Sequence, residues 1–214
     1  MIVSRGRKYI FIHIPKTGGT SMALALEDRA MADDIMVGDT PKAKKRRRKV
    51  QDIETKGRLW KHSTLRDIDG LVSPAEIDDM FVFTMVRNPW DRLVSYYHWL
   101  QEQSFNNVFV KLAKEHDFAT FLGLPAVIAS FKATPARYYM TDIKGREKCD
   151  LYIRLEHLGE DLAKLEDHLG FSLEIAQENK SSRKSEYHSY YSDDLAQLVS
   201  NIFQEDIEKF GYRF

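Results

Sequence analysis

The segment Tyr9-Ile10-Phe11-Ile12-His13-Ile14 limits the fold more than any other stretch. It is a nearly continuous run of β-branched and aromatic residues ended by Pro15, the pattern of a strand buried on both faces, and such strands belong to parallel sheets in α/β proteins. The loop Pro15-Lys16-Thr17-Gly18-Gly19-Thr20-Ser21 follows, and then Met22-Ala23-Leu24-Ala25-Leu26-Glu27, a run of good helix formers. The order is strand, glycine loop, helix.

The same order returns twice. Met80 to Val86 reads as a second apolar strand, followed by Arg87-Asn88-Pro89 and a helix whose Leu93, Tyr96, Tyr97 and Leu100 share one face; Asn88 suits the N-cap and Pro89 the first helical position. Leu151-Tyr152-Ile153 is a third strand, before a helix with Leu158, Leu162, Leu165 and Leu169 on a stripe that Gly170 would end. Helices are also expected around Val108 to Phe121, Thr134 to Met140 and Asp193 to Lys209. Strands alternating with helices argue for right-handed βαβ units and a mostly parallel sheet.

With 214 residues, 43% of them hydrophobic, the chain can bury one sizeable core and is read as a single domain, 1–214. No apolar run approaches the roughly 20 residues that span a bilayer. The basic, long-apolar, small-residue layout of a secretory signal is missing, and one cysteine, Cys149, cannot form an internal disulfide, so the expected compartment is the cytoplasm. The net charge of zero hides a segregation: seven of the eight residues from Lys42 to Lys49 are basic, and without them 25 basic residues face 32 acidic ones. The stretch 38–61 is therefore expected to be a basic, mobile excursion from the sheet. Its charge could guide a polyanionic acceptor, bind nucleic acid, or simply be solvated.

The first loop offers successive backbone N–H groups and a helix N-terminus, with Lys16 as a point charge and Thr17, Thr20 and Ser21 as hydroxyl donors, a set suited to a phosphate-like anion. It is not a Walker A loop, whose lysine follows the glycines; Lys16 precedes Gly18 and Gly19.

These residues, Phe11 to Ser21, resemble the 5′-phosphosulfate loop of the sulfotransferases that use 3′-phosphoadenosine 5′-phosphosulfate (PAPS), in particular the carbohydrate branch related to heparan sulfate 2-O-sulfotransferase and its bacterial relatives. Phe83 to Tyr97, with Arg87-Asn88-Pro89, Arg92 and Ser95, is similar to that family's 3′-phosphate motif, and Tyr152 to Glu156 and Asp206 to Tyr212 resemble later blocks. The resemblance implies a P-loop-like three-layer sandwich with a mostly parallel sheet flanked by helices, and transfer of the PAPS sulfuryl group to an acceptor hydroxyl, on a carbohydrate by preference, with no metal. It implies that Lys16, Thr17, Gly18, Gly19, Thr20 and Ser21 bind the phosphosulfate, that Arg87 and Ser95 take the 3′-phosphate, and that Ser181 and Arg183 belong to a segment closing over the adenosine. Lys16 is then the cation on the leaving oxygens and His62 the general base, with His98 as an alternative. Arg87 could instead form an ordinary salt bridge with Asp91, and Arg92 reads as structural. The competing functions are an ATP-dependent phosphotransferase and a non-catalytic module that binds polyanions.

Overall fold

A computed structural model of the chain describes residues 1–176 and 186–214. In chain order it begins with β1 (Ile2–Ser4), β2 (Tyr9–Ile12), α1 (Gly19–Asp28), β3 (Ile35–Met36), α2 (Pro41–Arg46), α3 (Pro74–Asp78) and β4 (Phe81–Val86). Four helices follow, α4 (Pro89–Gln101), α5 (Val108–Glu115), α6 (Phe118–Gly123) and α7 (Pro125–Lys132). Then come α8 (Ala136–Tyr139), β5 (Leu151–Arg154), α9 (Leu158–Asp161) and α10 (Ala163–Leu169), and finally α11 (Asp193–Ile202) and α12 (Gln204–Phe210). The chain divides into two compact units, one of residues 1–86 and 136–178, the other of residues 87–135 and 179–214.

In the first unit five strands make one open sheet in the order β3-β1-β2-β4-β5. β2, β4 and β5 are parallel neighbours, with Phe11 beside Phe83 and Met85 beside Ile153; β1 runs against β2, and β3 against β1. Four strands thus point one way, as the sequence implies. The surprise lies at the edge, where two short strands, β1 and β3, extend the sheet. Alternate residues show why the runs are apolar throughout: Tyr9, Phe11, Phe83 and Met85 pack with Met22 and Leu26 of α1 and Leu165 and Leu169 of α10, while Ile10, Ile12 and Val82 on the other face are equally buried. Each such side chain contributes about 1.5–3 kcal/mol on leaving water. Thr84, buried mid-strand, donates its hydroxyl to the Ile12 carbonyl at 2.7 Å.

Stretch 38–61, expected to be an excursion from the sheet, carries α2 and a 3₁₀ turn at Arg47–Val50. Thr40 caps α2 by accepting the Ala43 N–H and donates to Glu27 at 2.6 Å, Pro41 occupies the first helical position, and Ala43 is buried. The basic residues divide by face. Lys42 donates to the Glu27 carbonyl in the last turn of α1, where a cation complements the helix dipole, while Arg46 donates to the Met31 and Asp34 carbonyls and Lys49 to that of Ala32 in the loop that follows. Lys44, Lys45, Arg47 and Arg48 are exposed.

The second unit is helical. Trp90, Leu93, Tyr97 and Leu100 of α4 pack with Phe118 and Phe121 of α6, Phe131 of α7, and Leu195, Val199 and Phe203 near α11. The helix expected over Val108 to Phe121 is two, because Asp117 accepts the Thr120 N–H and restarts the chain as α6. The long last helix likewise divides at Phe203 into α11 and α12.

Candidate active site

In the first unit the chain turns sharply between β2 and α1. Lys16 takes a left-handed conformation (φ 65°), which costs a non-glycine residue about 1–2 kcal/mol, and Gly18 does the same (φ 86°). Only glycine suits the second position, since a Cβ there would also come within 2.8 Å of Leu155 Cδ1. Alternating backbone conformations of this kind turn successive N–H groups toward one concavity, a geometry that binds anions. Gly18 caps α1 with no side-chain hydrogen bond, and the first turn of α1 holds no acidic residue, so its N-terminal N–H groups face no carboxylate of their own turn. The Thr17 hydroxyl, buried, donates to the Ile14 carbonyl at 2.9 Å. Thr17 thus braces the loop with its side chain, while Lys16, Thr20 and Ser21 are half-buried.

His62 belongs to the same unit. Its Nδ1 lies 2.7 Å from the His13 carbonyl, which can only accept, so Nδ1 carries the proton and Nε2 is the basic nitrogen of the neutral ring. The His13 ring meets His62 edge-on at 4.6 Å between centroids and packs under Gly19, where an added Cβ would fall 2.2 Å from His13 Cδ2. His13, expected within the strand, lies one residue beyond β2 and joins the loop to His62. Burial, with Lys61 and the amino terminus nearby, holds His62 down at about 4, the bond to the His13 carbonyl opposing the shift. Burial pushes His13 well below its ordinary range as well. Both rings are therefore neutral at neutral pH. The turn before His62 is pinned: the Trp60 N–H donates to Ser63 Oγ at 2.9 Å, Lys61 Nζ reaches Asp39 at 2.5 Å, and the Met1 amino group donates to the Lys61 carbonyl at 3.0 Å. Trp60 stands 5.0 Å from the His62 ring at a steep angle.

In the second unit Arg87 does form the salt bridge open to it. Its Nε and Nη2 lie 2.8 and 2.6 Å from Asp91 Oδ2, and both side chains are largely buried, which fixes the guanidinium plane. Asn88 serves twice: Oδ1 accepts the N–H groups of Trp90 and Asp91, and Nδ2 donates to the Arg213 carbonyl at 2.9 Å. Ser95 is buried in α4. Arg92 is buried too, about 6 Å from the Phe131 and Phe203 rings, which suits a structural role. His98 lies between the rings of Tyr97 and Tyr190. Ser181 and Arg183 lie outside the described residues. Among the described residues no group of three or more His, Cys, Asp or Glu side chains could hold a metal ion, and no helix is long and apolar enough to cross a membrane.

Sequence reasoning picked out Lys16, Gly18, Arg87 and His62 by motif. It missed the His13 carbonyl as the group that orients His62, because backbone acceptors leave no mark in a sequence, and it passed over Trp60, two residues before His62.

Comparison with known proteins adds to this geometry. No curated protein sequence matches the chain. Among solved structures it resembles the crystal structure of mouse sulfotransferase SULT7A1 complexed with PAP, with a TM-score of 0.54 and 15% identity over 94% of this chain and 84% of that one, a likeness of fold. The sulfotransferase family model matches residues 1–213. Since that match takes in the loop before α1, the motif after β4 and the elements around them, the chain belongs to the sulfotransferase family, whose sulfuryl donor is PAPS.

Proposed function

We propose that the chain transfers the sulfuryl group of PAPS to a hydroxyl of a carbohydrate by in-line displacement. The carrying observation is the company, within one compact unit, of an anion-binding turn with left-handed Lys16 and Gly18 and a neutral imidazole whose Nδ1 proton is fixed by the His13 carbonyl. The turn fits a phosphosulfate by its own chemistry, having N-terminal N–H groups, a lysine and no acid in the first helical turn. Bound PAPS would supply the sulfuryl group and a stable phosphate leaving group. Lys16, the N–H groups of Thr17, Gly18, Gly19 and Thr20, and the Ser21 hydroxyl hold the 5′ end and steady the charge that grows on it. Arg87, oriented by Asp91, and Ser95 take the 3′-phosphate, joined in the family pattern by Ser181 and Arg183. His62 Nε2 accepts the proton of the acceptor hydroxyl.

The exposed Lys44, Lys45, Arg47 and Arg48 favour an anionic glycan as acceptor, because clustered positive charge raises its local concentration. The thiol of Cys149, hydrogen-bonded to the Leu151 carbonyl, is in keeping with a reducing, cytoplasmic setting.

Melting scans with PAP, ADP and ATP at equal concentration, with and without Mg²⁺, test the donor assignment. Ligand at 100-fold its dissociation constant adds about 2.7 kcal/mol. A shift with PAP that ADP does not produce and Mg²⁺ does not change supports the reading. Equal shifts with ADP, or a shift only with Mg·ATP, assign a phosphotransferase, and no shift with any of them leaves a polyanion-binding module.

A further inference from the structure

We propose that Trp60 is the platform on which the acceptor's ring stacks, a specificity-determining residue that selects a cyclic acceptor, a pyranoside, and presents its hydroxyl to His62. The inference rests on His62 being the base. Large aromatic side chains normally lie inside, as Trp90 does at 2% exposure, yet Trp60 is 45% exposed.

That exposure is built in. The Trp60 N–H is held by Ser63 Oγ, the Ser63 hydroxyl also reaches the Arg58 carbonyl at 3.0 Å, and the Ser63 N–H returns to the Trp60 carbonyl at 3.1 Å. The next residue, Lys61, is tied at its side chain to Asp39 and at its carbonyl to the Met1 amino group. His62 is tied to the His13 carbonyl. A turn fastened at three consecutive residues thus buries most of one ring and leaves the other in solvent.

The two rings meet at 86° with 5.0 Å between centroids. The indole N–H makes no hydrogen bond to any described residue and remains a donor for a ligand oxygen. An indole face is electron-rich, and the C–H face of a pyranose carries slight positive charge, so the two pack with carbon atoms about 3.5–4 Å apart. The imidazole to which the pyranose hydroxyl would be presented has its centroid 5.0 Å from that of the indole. A linear polyol offers the same hydroxyls without a flat C–H face.

The test uses saturation-transfer NMR on the PAP-bound protein, with methyl β-D-glucopyranoside and methyl β-D-glucuronide as ring probes and D-sorbitol as the linear one. Wild type should transfer saturation to the protons of one glycoside face and little to sorbitol. Trp60→Ala should weaken glycoside binding at least tenfold and Trp60→Phe restore most of it, with the melting shift by PAP the same in all three. Sorbitol binding as well as the glycosides, Trp60→Ala binding as well as wild type, or no glycoside signal from PAP-bound wild type would each overturn the proposal. Absence of a PAP shift in wild type would instead overturn the donor assignment beneath it.

Discussion

His62 presents Nε2 as its basic nitrogen because Nδ1 donates to a backbone carbonyl. A carboxylate there would raise the imidazole's proton affinity strongly; burial lowers it to about 4, the His13 carbonyl offsetting only part of that shift. His62→Gln should lose at least about 100-fold in turnover while the PAP-induced melting shift stays, the range expected for loss of a general base. A turnover within tenfold of wild type would remove His62 from the mechanism. The acid limb of the pH–rate profile should fall near 4 rather than 6.5. Stability follows the same ionisation: between the folded value and 6.5 the unfolded chain binds more protons, so stability is full above about 6.5 and declines toward 4. Urea midpoints across pH 4–7 should show that decline, and His62→Gln should flatten it. Lys16→Gly separates charge from shape: glycine adopts the left-handed conformation freely, so the fold should lose no stability while turnover and PAP binding collapse. The residue types of the site were legible, and so was the Arg87–Asp91 option at a spacing of four. The inward turn of the Thr17 hydroxyl was not, because hydroxyls serve loop and ligand alike.

At the scale of elements, the loop and α1 are joined to His62 through one ring. Gly19→Ala sets a methyl group against His13 Cδ2 at 2.2 Å, and making room for it should cost about 1–3 kcal/mol in urea denaturation and disturb the His62 imidazole resonances. An unchanged midpoint would mean that the His13 ring swings aside at little cost. The central strands and α4 could be read from the sequence because long apolar runs and the Asn88-Pro89 start leave clear patterns. β1 and β3, of three and two residues, are too short to show any periodicity and exist through pairing with β2 and with each other. The capping acid Asp117 marked the restart at α6, a signal that the apolar spacing of Val108 to Phe121 outweighed. In the basic stretch, Thr40-Pro41 was a helix start hidden by the charges behind it.

At the scale of the molecule, the zero net charge arises from an acidic body and the basic face of α2 and its 3₁₀ turn. Reversing Lys44, Lys45, Arg47 and Arg48 to Glu together should raise the KM for an anionic glycan acceptor at least tenfold and flatten its salt dependence, with the PAP shift intact. Equal KM values would leave that face a solvated surface. The topology also has a temporal consequence. β4 and β5 are neighbours in the sheet, yet α4 to α8 are synthesised between them. A ribosome adding about 5–20 residues per second leaves several seconds between Val86 and Leu151. Throughout that interval the edge of β4 that awaits β5, Phe-Val-Phe-Thr-Met-Val with neither charge nor proline, is open to other nascent chains. Chaperone demand in the cell, and loss to inclusion bodies on overexpression, are thereby set during translation, before the last strand exists.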